Sequence, residues 1–582
     1  MNNAAFPIQA ILPDLLQTLQ QHTRVVLEAP PGAGKTTQVP LALLDQSWCA
    51  GKKVLMLEPR RVAARAAAGF MARQLGEQVG ATVGYRIRFD NKVSAATRVE
   101  VVTEGILTRM LQDDPLLEGI GAILFDEFHE RHLAGDLGLA LALDVQSSLR
   151  EDLRLVVMSA TLDGERLTTF LDARRLTSAG RAFPVTVSYY PAKREEALTF
   201  QVKRCIDQCL ADHVGDVLVF LPGQREIGQV EGVLQGAAFA DIGVLALYGE
   251  MPVEQQSAAL APDPGGKRRI VLATNLAESS VTLPGVRVVI DSGLAREPRF
   301  DPNSGFSRLE TVYISQASAD QRSGRAGRVA EGWSYRLRPK EQRLDVSRNP
   351  EINNVDLAGL ALELAAWGSS NLRFVDVPPP GTLAGAKDLL VRLGALDAHH
   401  SITALGTRML ALGTHPRLAA MLLTPTQASE QALACDLAAL IDARDPLKGY
   451  RGDDWQPRWQ ALADHRARGK PNNQGQDIRA SATSSSSPFV SRGALAAIEQ
   501  TASQWRKRLR LNVLPPADIA AQLLGDVLLH AYPDRIARQH PQDRYRYQLS
   551  NGRSARLFDD SALNGEPWLV ISELRHESKD SL

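Results

Sequence analysis

The 582-residue chain carries 66 lysine and arginine residues against 66 aspartate and glutamate, with 44% hydrophobic and 23% charged residues. It is too long for one ordinary domain, and its composition excludes a disordered or membrane-embedded chain. Zero formal net charge excludes a surface coated in basic residues, so any site for a polyanion must be local. No apolar run reaches the roughly 18 residues of a membrane-spanning helix. The N-terminus MNNAAFPIQAILPDLL carries prolines and lacks the basic flank of a signal peptide, so a cytoplasmic protein with no membrane partner is expected. Among the cysteines, Cys205 and Cys209 are helix-spaced, but with only Cys49 and Cys435 elsewhere no second pair completes a tetrahedral metal site. Four buried free thiols are expected instead.

From residue 24 to about 180, short apolar runs alternate with helical text. TRVVLEA, KKVLMLEP, RVEVVT, GAILFDE and LRLVVMSAT are predicted strands. Each is almost continuously apolar, as a strand must be when helices cover both its faces. A parallel, doubly wound α/β sheet is predicted. The pattern repeats from about 181 to 345 in DVLVFLPG, IGVLALYG, RRIVLATN and VRVVIDSG, predicting a second domain of the same class. Beyond 350 the text becomes Ala- and Leu-rich and helical, as in DLAGLALELAAWG and GTLAGAKDLLVRLGAL, with further helices to about 525. The polar, low-complexity segment 469–489 is expected to be a mobile loop. RYRYQLSNGRSARLF and EPWLVISEL are predicted short strands around an Asn-Gly turn.

The first strand runs into APPGAGKTT, residues 29–37. A glycine-rich turn between a strand and a helix points backbone N–H groups inward, and the helix adds the positive end of its dipole. Phosphate fits there, cradled by Gly32, Ala33, Gly34, Lys35, Thr36 and Thr37, with Lys35 reaching the terminal phosphates and the Thr36 hydroxyl on Mg²⁺. The strict G-x-x-x-x-G-K-[ST] spacing is broken by Ala29 at its first position, which is tolerable if the backbone there keeps a negative φ.

ILFDEFHERH, residues 123–132, sets Asp126 and Glu127 side by side at the end of a buried strand, a placement compatible with a strand adjacent to the phosphate loop. Successive strand residues face opposite sides, so both acids can serve one site only if the chain turns there. Asp126 then meets Mg²⁺, while Glu127, the third member of the expected metal set with Thr36, orients and deprotonates the attacking water. His129 is expected to link the nucleotide site to the second domain. In QRSGRAGR, residues 321–328, Gln321, Arg325 and Arg328 are spaced to share one helical face. They are expected as arginine fingers and their companion, which contribute roughly 10³ to 10⁵ in rate.

In this order the motifs resemble a DEAH-type superfamily 2 RNA helicase, with DEFH in place of DEAH, and the DEFHER variant looks most like the bacterial HrpB group. LEPRRVAAR at 57–65, TEGILTRML at 103–111, SAT at 159–161, FLPGQREI at 220–227 and ATNLAESSVTLPGV at 273–286 also match. The resemblance implies two tandem RecA-like P-loop domains, 1–180 and 181–345. A winged helix over 346–412, a helical bundle over 413–525 and an OB-like module over 526–582 would follow. It also implies that Arg60, Arg61, Thr103 and Thr274 lie along the nucleic-acid path, and that Ser159 and Thr161 couple hydrolysis to domain movement. Chains of this group usually continue well beyond residue 582, so a C-terminal part is expected to be absent.

The expected function is Mg²⁺-dependent hydrolysis of ATP or another NTP driving movement on single-stranded RNA, with DNA as the other candidate polymer. A nucleotide-switched clamp that binds RNA without unwinding is the alternative. A P-loop enzyme acting on a small molecule would leave QRSGRAGR and the repeated domain unexplained.

Overall fold

The computed structural model describes residues 6–574 apart from 88–89, 161–163, 179–182, 236–238, 240, 250, 252, 279–282, 303, 370, 451, 469–477, 480–488 and 517. Its first sheet is built from β1 (Arg24–Glu28), β2 (Lys53–Leu57), β3 (Val83–Ile87), β4 (Asp90–Lys92), β5 (Val99–Val102), β6 (Ile120–Phe125), β7 (Arg154–Ser159) and β8 (Arg174–Thr177). Their order is β4-β3-β5-β2-β6-β7-β1-β8. All neighbours run parallel except the β3–β4 pair.

The apolar runs explain this layering. Val25, Leu27, Val54, Met56, Leu124, Val156 and Met158 alternate onto one face and pack with Leu15, Val39, Ala64, Ala68 and Met71 from the helices Leu12–Gln21, Lys35–Ala42 and Arg61–Gln74. The intervening Val26, Leu55, Ile123, Phe125, Leu155 and Val157 are buried as well. Each large aliphatic side chain so buried contributes roughly 1.5–3 kcal/mol. Alanines along the helix Arg61–Gln74 let it lie close to the sheet.

The second sheet contains β9 (Val185–Tyr189), β10 (Asp216–Phe220), β11 (Gly243–Leu247), β12 (Arg269–Ala273), β13 (Val286–Asp291) and, after a hairpin of β14 (Leu294–Asp301) and β15 (Phe306–Tyr313), β16 (Gly332–Arg336). It is parallel throughout, in the order β11-β12-β10-β13-β16-β9. All nine predicted strands of the two RecA-like domains are present. β3, β4, β8, β9, β14, β15 and β16 were not predicted; of these, β8 and β9 form sheet edges with polar, solvent-facing positions and carry no continuous apolar run.

The chain divides into two compact units. One comprises Met1–Arg299, Arg308–Val355 and Ser370–Pro378, and holds both parallel sheets; the other comprises Phe300–Ser307, Asp356–Ser369 and Pro379–Leu582. Within the second unit lie the helices Ala358–Trp367, Pro380–Arg392, Ala404–Leu412, Pro416–Leu423, Ala428–Asp442, Gln456–Ala467, Arg492–Arg508 and Ala521–Leu529. Trp459 and Trp505 are buried there, and Asp436 accepts from both Arg466 and Arg506 at 2.8 Å. The expected mobile loop 469–489 lies outside the described residues except for short pairing segments. These are β18 (Ile478–Arg479) and β19 (Phe489–Val490), which join β17 (Leu447–Lys448) in an antiparallel sheet. The last sheet takes β20 (Ile536–His540), β21 (Asp543–Leu549), β22 (Ser554–Arg556) and β23 (Trp568–Val570) in the order β22-β21-β20-β23. Gly552 has φ +84°, as the expected Asn-Gly turn requires. The four cysteines are free and buried.

Candidate active site

The carboxyl ends of β1, β6 and β7 form one wall of the site. After β1 the chain turns through Gly32 and Gly34, at φ +87° and +94°, before the helix that begins at Lys35. A Cβ on Gly34 would meet the Phe6 side chain at 2.9 Å, so this position needs glycine for space as well as for backbone conformation. Ala29 is not among the described positive-φ residues, which is why it substitutes for glycine without strain. The Thr37 hydroxyl donates to the Gly34 carbonyl at 3.4 Å.

Lys35 is 3% exposed and directs its ammonium at the acidic pair, 3.0 Å from Glu127 Oε1 and 3.7 Å from Asp126 Oδ1. The chain turns where the adjacent acids require it: β6 ends at Phe125, and Glu127 takes a left-handed conformation with φ +49°. The Glu127 N–H folds back to donate to Asp126 Oδ1 at 2.8 Å. Asp126 does not sit on a strand adjacent to β1, because β7 lies between them. The buried Ser159 therefore stands between loop and acids, its carbonyl accepting from the Ala29 N–H at 3.0 Å. Thr161 lies outside the described residues.

Burial pushes the Asp126 carboxyl up to about 6 despite Lys35 and a hydrogen bond from Thr36. Burial opposes ionisation of Glu127 too, but the nearer Lys35 ammonium outweighs it and holds Glu127 below the usual range. Lys35 in turn is held above its ordinary value, because the two carboxylates outweigh its own burial. Asp126 Oδ2 and Glu127 Oε2 are buried without a hydrogen-bond partner. No cluster of three or more His, Cys, Asp or Glu able to hold a metal occurs among the described residues. One or two hard carboxylate oxygens with a neighbouring threonine hydroxyl fit Mg²⁺, which keeps several waters and draws its remaining ligands from phosphates. Thr36, Asp126 and Glu127 are the residues present for it.

The facing wall comes from the second RecA-like domain. Gln321 lies in the helix Gln316–Ser323, but that helix stops before the arginines, so the expected single helical face is not formed. Beyond Ser323 the N–H groups of Arg325, Ala326 and Gly327 bond three residues back, making tight turns. Gly327 approaches the Phe183 carbonyl, closer than any Cβ would allow. Even so, Arg328 comes up to the first wall, and Arg325 feels the charge of its acids. A Cβ on Gly32 would lie 4.0 Å from Arg328 Nε. Burial lowers Arg328 to about 10, with Glu127 opposing the shift. Burial and then the Arg328 charge hold Arg325 well below its usual value, against the pull of Glu127. The Arg325 Nε donates to the Glu278 carbonyl at 3.0 Å.

His129 bridges the walls. Burial lowers its pKa, so the ring is neutral; Nδ1 accepts from the Ala160 N–H at 3.3 Å, and Nε2 stands 3.2 Å from the Gln321 amide.

Arg60, Arg61, Thr103 and Thr274 each lie just past the carboxyl end of a strand, β2, β5 or β12. Arg61 is exposed, but Arg60 gives Nη2 to both Glu130 oxygens at 3.2 and 3.0 Å, and its Nη1 meets the Asn275 carbonyl at 3.5 Å. Sequence reasoning missed Glu58 and Glu130. Glu58 is 1% exposed with Oε1 unpartnered, and burial together with Asp126, Glu127 and Glu130 pushes it well above the usual carboxylate range. The signal available was a charged residue ending an apolar strand in VLMLEP.

Residues 7–170 match the DEAD/DEAH box helicase family and residues 201–330 the helicase conserved C-terminal domain. The chain is 41% identical over 573 residues to the ATP-dependent RNA helicase HrpB of Escherichia coli, covering 97% of this chain and 66% of that protein. It is 36% identical over 444 residues to the pre-mRNA-splicing factor ATP-dependent RNA helicase prp22 of Schizosaccharomyces pombe, covering 74% of this chain and 38% of that one. Crystal structures of the E. coli DEAH/RHA helicase HrpB and of the E. coli DExH-box NTPase HrpB superpose with TM-scores of 0.82 and 0.80, both at 40% identity. They cover 98% and 100% of this chain and 69% and 67% of theirs. The chain thus spans about two thirds of the E. coli relative's length. With two parallel α/β sheets in tandem, an acidic pair facing a phosphate loop and this similarity across nearly its whole length, the chain belongs to the DEAD/DEAH box helicase family, in the DEAH-type HrpB group.

Proposed function

We propose that the chain is an ATP-hydrolysing RNA translocase and helicase that moves along a single strand. One observation carries the reading: Arg328 of the second RecA-like domain stands against Gly32 of the first, and Glu127 acts electrostatically on both Arg325 and Arg328. A triphosphate gripped there meets Lys35 and the loop N–H groups on one side and two guanidinium groups on the other. Glu127, ionised beside Lys35, accepts the proton of the attacking water. Thr36 and Asp126 would hold Mg²⁺, which would supply positive charge to offset that of the triphosphate. Arg325 and Arg328 stabilise the charge of the transferring phosphoryl group, an effect of roughly 10³ to 10⁵ in rate.

Loss of the γ-phosphate removes the anion that holds the arginine wall against the acidic wall. His129, joined to Ala160 and to Gln321, transmits that change, with Ser159 and Thr161 acting as couplers. Arg60, Arg61, Thr103 and Thr274 hold the strand by its backbone, which needs neither high net charge nor base readout. We read the later helices and the final sheet as the winged-helix, helical-bundle and OB-like modules. No helix among the described residues is long and apolar enough to cross a membrane.

The test is the ATP hydrolysis rate with matched RNA and DNA oligomers, together with release of a strand from a duplex bearing a single-stranded overhang. RNA should accelerate hydrolysis more than DNA, and strand release should require hydrolysable ATP. Acceleration without strand release would replace the helicase by an RNA-binding clamp.

A further inference from the structure

His132, the residue after the DEFHER run, plays no part in the mechanism above, yet it sits between two carboxylates. Its Nε2 lies 2.7 Å from Glu130 Oε2 and its Nδ1 lies 2.7 Å from Glu351 Oε1. Glu351 is itself anchored to this spot: its Oε2 accepts from the Leu133 N–H at 2.9 Å, and its own N–H donates to the Arg131 carbonyl at 3.1 Å. Glu351 belongs to the segment that follows the second RecA-like domain, so a residue of the acidic box grips the chain as it leaves that domain.

Glu130 is 5% exposed, and its Oε2 serves two cations at once, His132 at 2.7 Å and Arg60 at 3.0 Å. Arg60 and Glu130 line one polar cleft with Asn275, and the Arg60 side chain, unlike that of Glu130, is part-exposed at 19%. A buried carboxylate that loses its only cation is strongly disfavoured. Without the His132 cation, Glu130 would hold Arg60 more tightly and away from any strand.

We propose that His132 is a positioning residue for the polymer path: as an imidazolium clamped by Glu351, it keeps Glu130 compensated, so that Arg60 can exchange that carboxylate for a strand phosphate. The inference rests on the reading of Arg60 as a strand contact. Burial works against the charged ring, but Glu130, Glu351 and, at greater distance, Glu104 outweigh it and raise His132 to about 10. Around them, Asp136 faces Glu104 and Arg348 faces Glu351. The ring is therefore charged from acid to mildly alkaline pH, and the anchor on Glu351 ties that charge to the segment after the second domain.

The experiment measures binding of a labelled single-stranded RNA and the RNA concentration giving half-maximal stimulation of ATP hydrolysis, with basal and saturated rates recorded separately. His132→Gln should raise the half-saturating RNA concentration about tenfold, equivalent to about 1.4 kcal/mol, with basal and saturated rates kept. His132→Lys, which retains a cation, should recover most of the affinity. Glu351→Gln lowers the ring's pKa, so its RNA affinity should weaken as pH rises from about 7 to about 9, while the wild-type ring, held up at about 10, keeps a flat profile over that span. Unchanged affinity in His132→Gln, or no recovery in His132→Lys, overturns the proposal. Should His132→Gln fail to fold, the Glu351→Gln profile decides alone, and a flat one at wild-type affinity overturns it. Wild-type protein that binds no RNA removes the polymer reading itself and this proposal with it.

Discussion

Both RecA-like domains end a central strand on an aspartate, and the two are treated in opposite ways. Asp291, the last residue of β13, is 1% exposed and sealed: its Oδ1 accepts from Arg322 Nη1 at 2.7 Å and from the Gly293 N–H at 2.9 Å. Arg322 is itself buried, bonded to Glu278 at 2.9 Å, with its guanidinium 4.7 Å from the Phe220 ring centroid. Asp126, just past β6, has Lys35 no nearer than 3.7 Å and one oxygen with no hydrogen-bond partner. The same residue type at a comparable place serves folding in one domain and is left chemically unsatisfied in the other. An unsatisfied buried acid costs stability, and such a cost persists where a ligand makes use of it.

Three experiments sharpen or break this contrast. The largest effect is expected at the acid pair: Glu127→Gln should lower turnover by roughly 10² to 10⁴ while nucleotide affinity is kept, whereas Lys35→Ala should lose affinity. Equal loss of affinity in both would leave Glu127 without a separate role. Next, Arg322→Ala should destabilise the protein by about 3–5 kcal/mol, because it strands the buried Asp291. A denaturant midpoint unchanged from wild type would show that this pair is not the seal described. Smallest and opposite in sign is Asp126→Asn without nucleotide. The folded carboxyl titrates at about 6 against an ordinary 3.8, so its ionised form penalises folding fully above about pH 6, and the penalty fades as pH falls towards 3.8. The asparagine variant should be more stable by about 3 kcal/mol at neutral pH, and thermal melts near pH 4 should show little difference. A neutral-pH loss instead would mean that Asp126 is compensated as Asp291 is.

Much of the nucleotide site, though not this contrast, was legible in the sequence. The phosphate loop, the acidic pair and the turn at Glu127 follow from residues close in the chain, and the turn was required by the alternation of strand faces. The edge strands β8 and β9 were not legible, since an exposed strand lacks the apolar run that marks a buried one. The helix expected through QRSGRAGR was also misplaced. Spacing alone suggested a shared face, but the chain leaves the helix at Ser323, and Arg328 approaches Gly32 from a turn.

The residue pattern by itself determined the two parallel sheets, the glycines that need a positive φ and the position of the acids, because covalent spacing and side-chain alternation act over a few residues. Only the tertiary structure decided that Glu58, Glu130, His132 and Glu351 gather behind those acids, that β7 separates Asp126 from the loop, and that Asp291 is sealed while Asp126 is not. Coulomb energy and desolvation depend on distance and burial in space, and those are set by which strands and helices pack together.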